Sequence, residues 1–194
     1  MEYANHIVCL INESLKQLHC DIELNGIART IVDPKSAEEK GGISFPGTID
    51  FTGECKEIEL ENKAIVVYHK CISIQTSQSN KQGFGRSLNP LTVKMKMCIV
   101  VFSDTTKTKL SADQIALNIH GIIPRESIKS ILTGVKNTSI LINDAILNES
   151  QVYSEEFKNV DSFLGPEHSL IKINYTVEST VSQKCFNTIC KQTS

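Results

Sequence analysis

The sequence predicts an α+β fold: a mixed, mostly antiparallel sheet carrying a long protruding β-hairpin, with two or three helices packed against it. Three observations predict this. Ile (24), Val (12) and Thr (14) far outnumber Ala (7) in a chain of 194 residues, and the stiff χ1 of β-branched side chains suits a pleated sheet better than a helix. Two segments alternate apolar and polar residues over about twice the ordinary strand length of ~5–6 residues. Two others repeat apolar residues at helical spacing. With 40% hydrophobic and 22% charged residues, residues 1–194 are expected to build one core and fold as a single domain without disulfide or metal support.

From Ala4 to His19, the residues Ile7, Leu10, Ile11, Leu15 and Leu18 form one apolar stripe with Asn12, Glu13 and Lys16 opposite. This is an amphipathic opening helix. Asp21–Leu24 and Ile27–Val32 read as two strands around Asn25-Gly26, the pair that best tolerates the positive φ angles of a type I′ turn, so a first hairpin is expected. Asp33–Gly42 is Pro-broken, charged and Gly-ended, which predicts a mobile loop. Ile43–Phe51 and Glu57–Leu60 are weaker strand candidates.

The most informative stretch follows. Ala64–Gln75 and Leu91–Ser103 are long strands; in the second, Leu91, Val93, Met95, Met97, Ile99 and Val101 share one face while Thr92, Lys94, Lys96 and Cys98 share the other. Such alternation predicts a sheet with one buried and one wetter side. Between them, residues 76–90 form a polar tip around Gly83-Phe84-Gly85-Arg86. A 12-residue strand spans ~40 Å at ~3.3 Å per residue, against a radius of gyration of ~16 Å for a globule of this length. The hairpin is therefore expected to outreach its own core and to find its remaining contacts on a neighbouring subunit.

Ser111 caps a helix whose apolar side is expected from Ile115, Leu117, Ile119 and Ile122, ending at Gly121 and Pro124. Ser127–Leu132 and Ser139–Ile142 read as strands, Asn143–Val160 carries no clear pattern, and Leu170–Val177 is a late strand. The C-terminal tail, 179–194, is expected to hold a short helix over Val181–Cys190 before fraying.

Charge and motifs exclude several functions. A net charge of −2 with only three Arg argues against a dedicated nucleic-acid reader. The N-terminus lacks a secretion signal, so the mature chain is expected to begin near Met1, and no apolar run reaches the ~20 residues of a membrane span. Seven cysteines without a repeated short spacing fit free thiols in a reducing compartment. His69, Cys71 and Cys98 are soft ligands that would suit zinc or a Cys-His nucleophile, but no closely spaced ligand pair or local signature accompanies them, and packing is the better explanation. Cys185 and Cys190 are five apart, matching neither a redox pair nor a zinc knuckle. Gly83-Phe84-Gly85 lacks the following helix that a phosphate loop requires. Glu54, Glu57, Glu59 and Glu61 read as an exposed edge. Lys94 and Lys96, with Lys107 and Lys109 beyond, form a modest basic patch. No catalytic, cofactor-binding or metal-binding residue is predicted.

The element order resembles that of bacteriophage tail terminator and tail-completion (neck) proteins. The likeness is carried by Ile65-Val-Val-Tyr-His-Lys70 entering the hairpin, Val93-Lys-Met-Lys-Met-Cys-Ile-Val-Val-Phe102 leaving it, and the helix from Ser111 to Pro124. It covers Met1–Leu132 and is one of pattern, without a diagnostic motif. The resemblance implies an α/β sandwich assembled as a ring, commonly a hexamer, at the junction of tail and head. It implies a non-enzymatic virion structural protein, made in the host cytoplasm, that contacts itself, neighbouring tail or neck proteins and, non-specifically, genome DNA in the lumen. On that reading the tip residues Asn80, Lys81, Gln82, Phe84 and Arg86 touch the next subunit, with Phe84 as apolar and Arg86 as polar anchor, and Lys94 and Lys96 face the lumen. No cofactor is implied. The competing reading is a small intracellular α+β enzyme or ligand-binding domain that happens to carry a long hairpin; a stable monomer in solution would favour it.

Overall fold

Helix α1 (Glu2–Leu15) turns Ala4, Ile7, Val8, Ile11 and Leu15 inward, the spacing that its sequence stripe requires. The structure is a computed structural model and describes residues 2–32, 43–49, 55–60, 63–78, 91–125, 135–147, 149–157 and 166–181. The strands are β1 (Ile22–Val32), β2 (Ser44–Ile49), β3 (Cys55–Glu57), β4 (Ile65–Gln78), β5 (Leu91–Asp104), β6 (Val135–Ile146) and β7 (His168–Val181). The remaining helices are α2 (Thr105–Thr108), α3 (Ala112–Ile122) and α4 (Glu149–Glu156). All seven strands join one sheet in the order β3-β2-β1-β4-β5-β7-β6. Only the β1–β4 contact is parallel. The fold is α+β with a mixed, mostly antiparallel sheet.

The expected long hairpin is present, with Ile65↔Ser103 at its base and Gln78↔Leu91 at its outer end. It does not stand alone. β7 runs beside β5 along its whole length, from Asp104↔His168 to Leu91↔Val181, and β6 runs beside β7. Four strands rather than two therefore reach outward, and the backbone of β5 is paired on both sides. The late strand extends past Val177 through Glu178, Ser179 and Thr180, which no apolar alternation marks.

Asn25-Gly26 does not make a hairpin. β1 is continuous through it, and neither residue has a positive φ. The pair instead forms a bulge: the register passes from Leu24↔Val67 to Ile27↔His69, so β1 carries one extra residue. Pairing on both flanks, with β4 before the bulge and β2 after it, overrides the local turn preference.

Two cores lie on opposite faces. On the first, α1 and α3 cover Ile65, Val67, Met95, Met97, Ile99, Val101, Ile171, Ile173, Tyr175 and Val177. On the second, α4 and the segment after β3 cover Val66, Tyr68, Cys98, Val100, Phe102 and Leu170 through Val152, Phe157, Ile58 and Leu60. The second face of β5 is thus wetter only in its outer half, where Lys94 and Lys96 are exposed; from Cys98 inward it is buried. In α3 the inward side is Ile115, Ala116 and Ile119, while Leu117 is 70% exposed because it lies two residues, about 200°, from Ile115 and Ile119. The start of α3 is fixed by Gln114 Oε1, which accepts the Ser111 backbone N–H at 3.0 Å. The unpatterned stretch 143–160 contains the end of β6 and α4. The predicted strand 127–132, the loop 33–42 and the tail beyond Val181 lie outside the described residues. No helix among the described residues is long and apolar enough to cross a membrane.

Candidate functional site

The bulge in β1 lies next to the last pair that β1 makes with β4. Asn12 of α1 donates to the carbonyl of Asn25 at 3.1 Å, and its Oδ1 lies 2.8 Å from Nε2 of His69. His69 Nδ1 in turn lies 3.2 Å from the Tyr175 hydroxyl, which is 3.5 Å from Met97 Sδ. With the proton on Nε2, His69 donates to Asn12 and accepts from Tyr175, so the buried chain is satisfied in a single neutral tautomer. Burial alone holds the His69 pKa at about 3. The chain lies beside the place where β1 stops following β4. The last pair is Ile27↔His69; beyond it β1 pairs with β2, and no described residue pairs with β4 on that side.

Among the described residues, then, the edge of β4 from Cys71 to Gln78 is unpaired. It carries a bulge at Ile72, where the register passes from Cys71↔Met97 to Ser73↔Lys96, and then runs regularly to Gln78. The eight residues Cys71-Ile-Ser-Ile-Gln-Thr-Ser-Gln78 contain no charge and no proline, two of the devices that usually blunt an exposed edge; the bulge at Ile72 is a third and is confined to its inner end. Ile72 and Ile74 are 58% and 53% exposed. At the far side of the sheet, β6 is a terminal strand, and its Ile140 backbone N–H donates to the Arg125 carbonyl at 3.3 Å. Its stretch Asn137-Thr-Ser-Ile-Leu-Ile-Asn143 is also uncharged, and Leu141 is 66% exposed.

The second face holds the charged groups. Lys94 stands opposite Glu178 in the β5–β7 register, and Lys96 opposite Thr176. The patch is two lysines tempered by a glutamate. Further in, Glu156 of α4 is almost fully buried and accepts from Lys70 Nζ at 2.7 Å and from the Tyr68 hydroxyl at 3.1 Å. Burial, with the Glu156 charge, pushes the Tyr68 pKa well up. Lys172 donates to the neighbouring Glu155, and that hydrogen bond lowers the Glu155 pKa. These contacts clamp α4 onto the sheet.

The sequence candidates separate accordingly. Asn80, Lys81, Gln82, Phe84 and Arg86 lie outside the described residues, as do Glu54, Glu61, Cys185 and Cys190. His69 and Cys71 share the first face, but Cys98 pairs with Lys70 and points to the second, so the three cannot converge on one ion. No group of potential metal ligands clusters among the described residues. Burial pushes the Cys98 thiol up to about 11, away from nucleophilic use. Glu57 and Glu59 are exposed. Sequence reasoning missed Asn12, Tyr68, Glu156 and the open edge of β4; the one signal available was the uncharged run 71–78. No family model matches this chain, and no curated protein matches it.

Proposed function

We propose that the protein is a non-enzymatic structural subunit that assembles with copies of itself into a closed ring, of the tail terminator or tail-completion type found at the neck of phage virions. The observation that carries self-assembly is the outer edge of β4, uncharged and unpaired among the described residues, with Ile72 and Ile74 exposed on it. A strand edge without charge or proline is a template for another strand. The virion setting rests on the element order: opening helix, long hairpin, then a helix after Asp104. In such a ring, with six subunits as the expected number, Lys94 and Lys96 face the lumen and attract passing DNA weakly, tempered by Glu178. The partners are the same chain, adjoining tail or neck proteins and the genome, and the place of action is the virion. The buried polar groups are consistent with a structural role: His69 is held neutral, and Glu156 is closed off by Lys70 and Tyr68.

Size-exclusion chromatography with light scattering, followed by electron microscopy of the same fractions, tests the reading. The expected result is a single closed ring of uniform subunit number. A monomer at micromolar concentration overturns it.

A further inference from the structure

We infer that the outer edge of β4 pairs with the same edge of a second copy, antiparallel about a two-fold axis at Gln75, so that the two sheets become one. The inference rests on the self-assembly reading and names the surface that this edge receives.

Backbone groups come first. The Asp104 N–H donates to the Ala64 carbonyl at 2.9 Å, and in an antiparallel pair the bonded partners recur at every second residue, so Val66, Tyr68 and Lys70 turn their backbone groups toward β5. The extra residue at Ile72 moves the alternation by one. Ser73, Gln75 and Ser77 then bond to β5, and the N–H and C=O groups of Ile74 and Thr76 point to the edge. A two-fold at Gln75 sets Ile74 against Thr76 of the second copy and Thr76 against its Ile74, so all of these groups are paired.

Side chains select the same axis. Ile74 and Thr76 lie opposite Met95 and Val93 on the first face. The two-fold at Gln75 makes each a direct cross-strand neighbour of the other and brings the two exposed copies of Ile74 to diagonal positions on that face, within contact of each other. An axis at Ile74 would draw the bulge at Ile72 into the pairing, and one at Thr76 would part the isoleucines. A two-fold also sets each side chain near its own kind, so a charged run would repel itself; Ser73-Ile-Gln-Thr-Ser77 carries no charge. The flanking Lys94, beside Gln75, would stand three strand spacings, ~14 Å, from its copy, beyond the Debye length of ~10 Å at 0.1 M salt.

The described ends of the sheet offer no equal edge. In β6 the Ile140 N–H is taken by the Arg125 carbonyl and register shifts flank residues 139–142, while β3 has three residues. Because a two-fold contact closes on itself, a ring built on it counts its subunits in pairs and closes through a second contact, as in assemblies of dihedral symmetry.

Cysteine substitution in the full chain tests the axis. At the two-fold, position 75 meets its copy as a non-hydrogen-bonded pair with Cα atoms about 4.5 Å apart, within disulfide reach, whereas the copies of position 76 lie diagonal at ~7–8 Å, out of reach. With oxidised glutathione, Gln75→Cys is expected to give a dimer whose linked peptides, by mass spectrometry, join position 75 to position 75. Thr76→Cys, with the same native cysteines, is expected to give no link between its copies of position 76. Adding Ile74→Lys to Gln75→Cys brings two ammonium groups together and is expected to abolish the link while circular dichroism stays that of wild type. If wild type is oligomeric by light scattering and the 75–75 link does not form, or Thr76→Cys links as readily, the two-fold seam is overturned while self-assembly stands. If wild type itself is monomeric, both readings fall.

Discussion

Replacing Glu156 by Gln tests how α4 is held, because Glu156 is almost wholly enclosed, at 1% side-chain exposure. It accepts from both Lys70 and Tyr68. The amide keeps the shape but removes the charge; both donors meet Oε2, so the amide oxygen can still accept from them and what is lost is the ion pair with Lys70. Breaking a buried ion pair costs about 3–5 kcal/mol. Lys70 is 22% exposed and can turn part of its ammonium to water, so the lower end, about 3 kcal/mol, is expected. For a chain of this size that corresponds to a fall in Tm of ~6–12 °C. The chain has no Trp, so urea unfolding is followed by far-ultraviolet circular dichroism. Replacing the trio together, as Tyr68→Phe with Lys70→Met and Glu156→Leu, is expected to recover most of the loss, since an apolar substitute of similar volume leaves no group without a partner. A cost for Glu156→Gln below about 1 kcal/mol, the range of an exposed pair, would refute the reasoning.

Three other outcomes are expected. His69 binds its proton less readily folded, with its pKa lowered from 6.5 to about 3, than unfolded; its contribution is complete above pH ~6.5 and lost as pH falls toward ~3, at about 1.4 kcal/mol per unit. Stability measured against pH should fall more steeply in wild type than in His69→Gln by that slope, and equal slopes would contradict the buried neutral imidazole. Gly47→Ala should destabilise by about 1–3 kcal/mol, because the added Cβ would lie 2.9 Å from the Lys56 carbonyl oxygen and closer still to Ile31. Gly26→Ala meets nothing within 4 Å and should be nearly neutral in the same urea titration. Thiol alkylation at mildly alkaline pH should mark the exposed Cys9 and Cys20 rapidly and Cys98 only on unfolding; fast labelling of native Cys98 would show that α4 does not seal its face.

The strongly periodic elements were legible in the sequence. The alternation through Val93, Met95, Met97, Ile99 and Val101 appears in β5 as one inward face, and the stripe of Ile7, Ile11 and Leu15 as the buried side of α1. Where a local preference competed with long-range pairing, the pairing prevailed. Asn25-Gly26 has the composition of a turn but lies inside a strand, because β4 and β2 supply hydrogen bonds on either side of it. α4, with the sequence Glu149-Ser-Gln-Val-Tyr-Ser-Glu-Glu156, has no apolar stripe; it exists through Val152 and Phe157 on the second core and Glu156 against Lys70. The candidate site was half legible: the uncharged run 71–78 is there to read, but its exposure depends on where β1 departs.

Composition and period, properties of short stretches of chain, thus determined that the protein is rich in sheet, that two of its strands are very long and that one helix opens it. Tertiary structure decided which of those strands were already paired. β7, remote in sequence, occupies the far side of β5, while β1 leaves β4 after Ile27↔His69 and pairs with β2, so that no described residue pairs with the outer part of β4. The physical reason is that a strand's hydrogen bonds are made to chain distant in sequence, so the availability of an edge is a property of the assembled sheet.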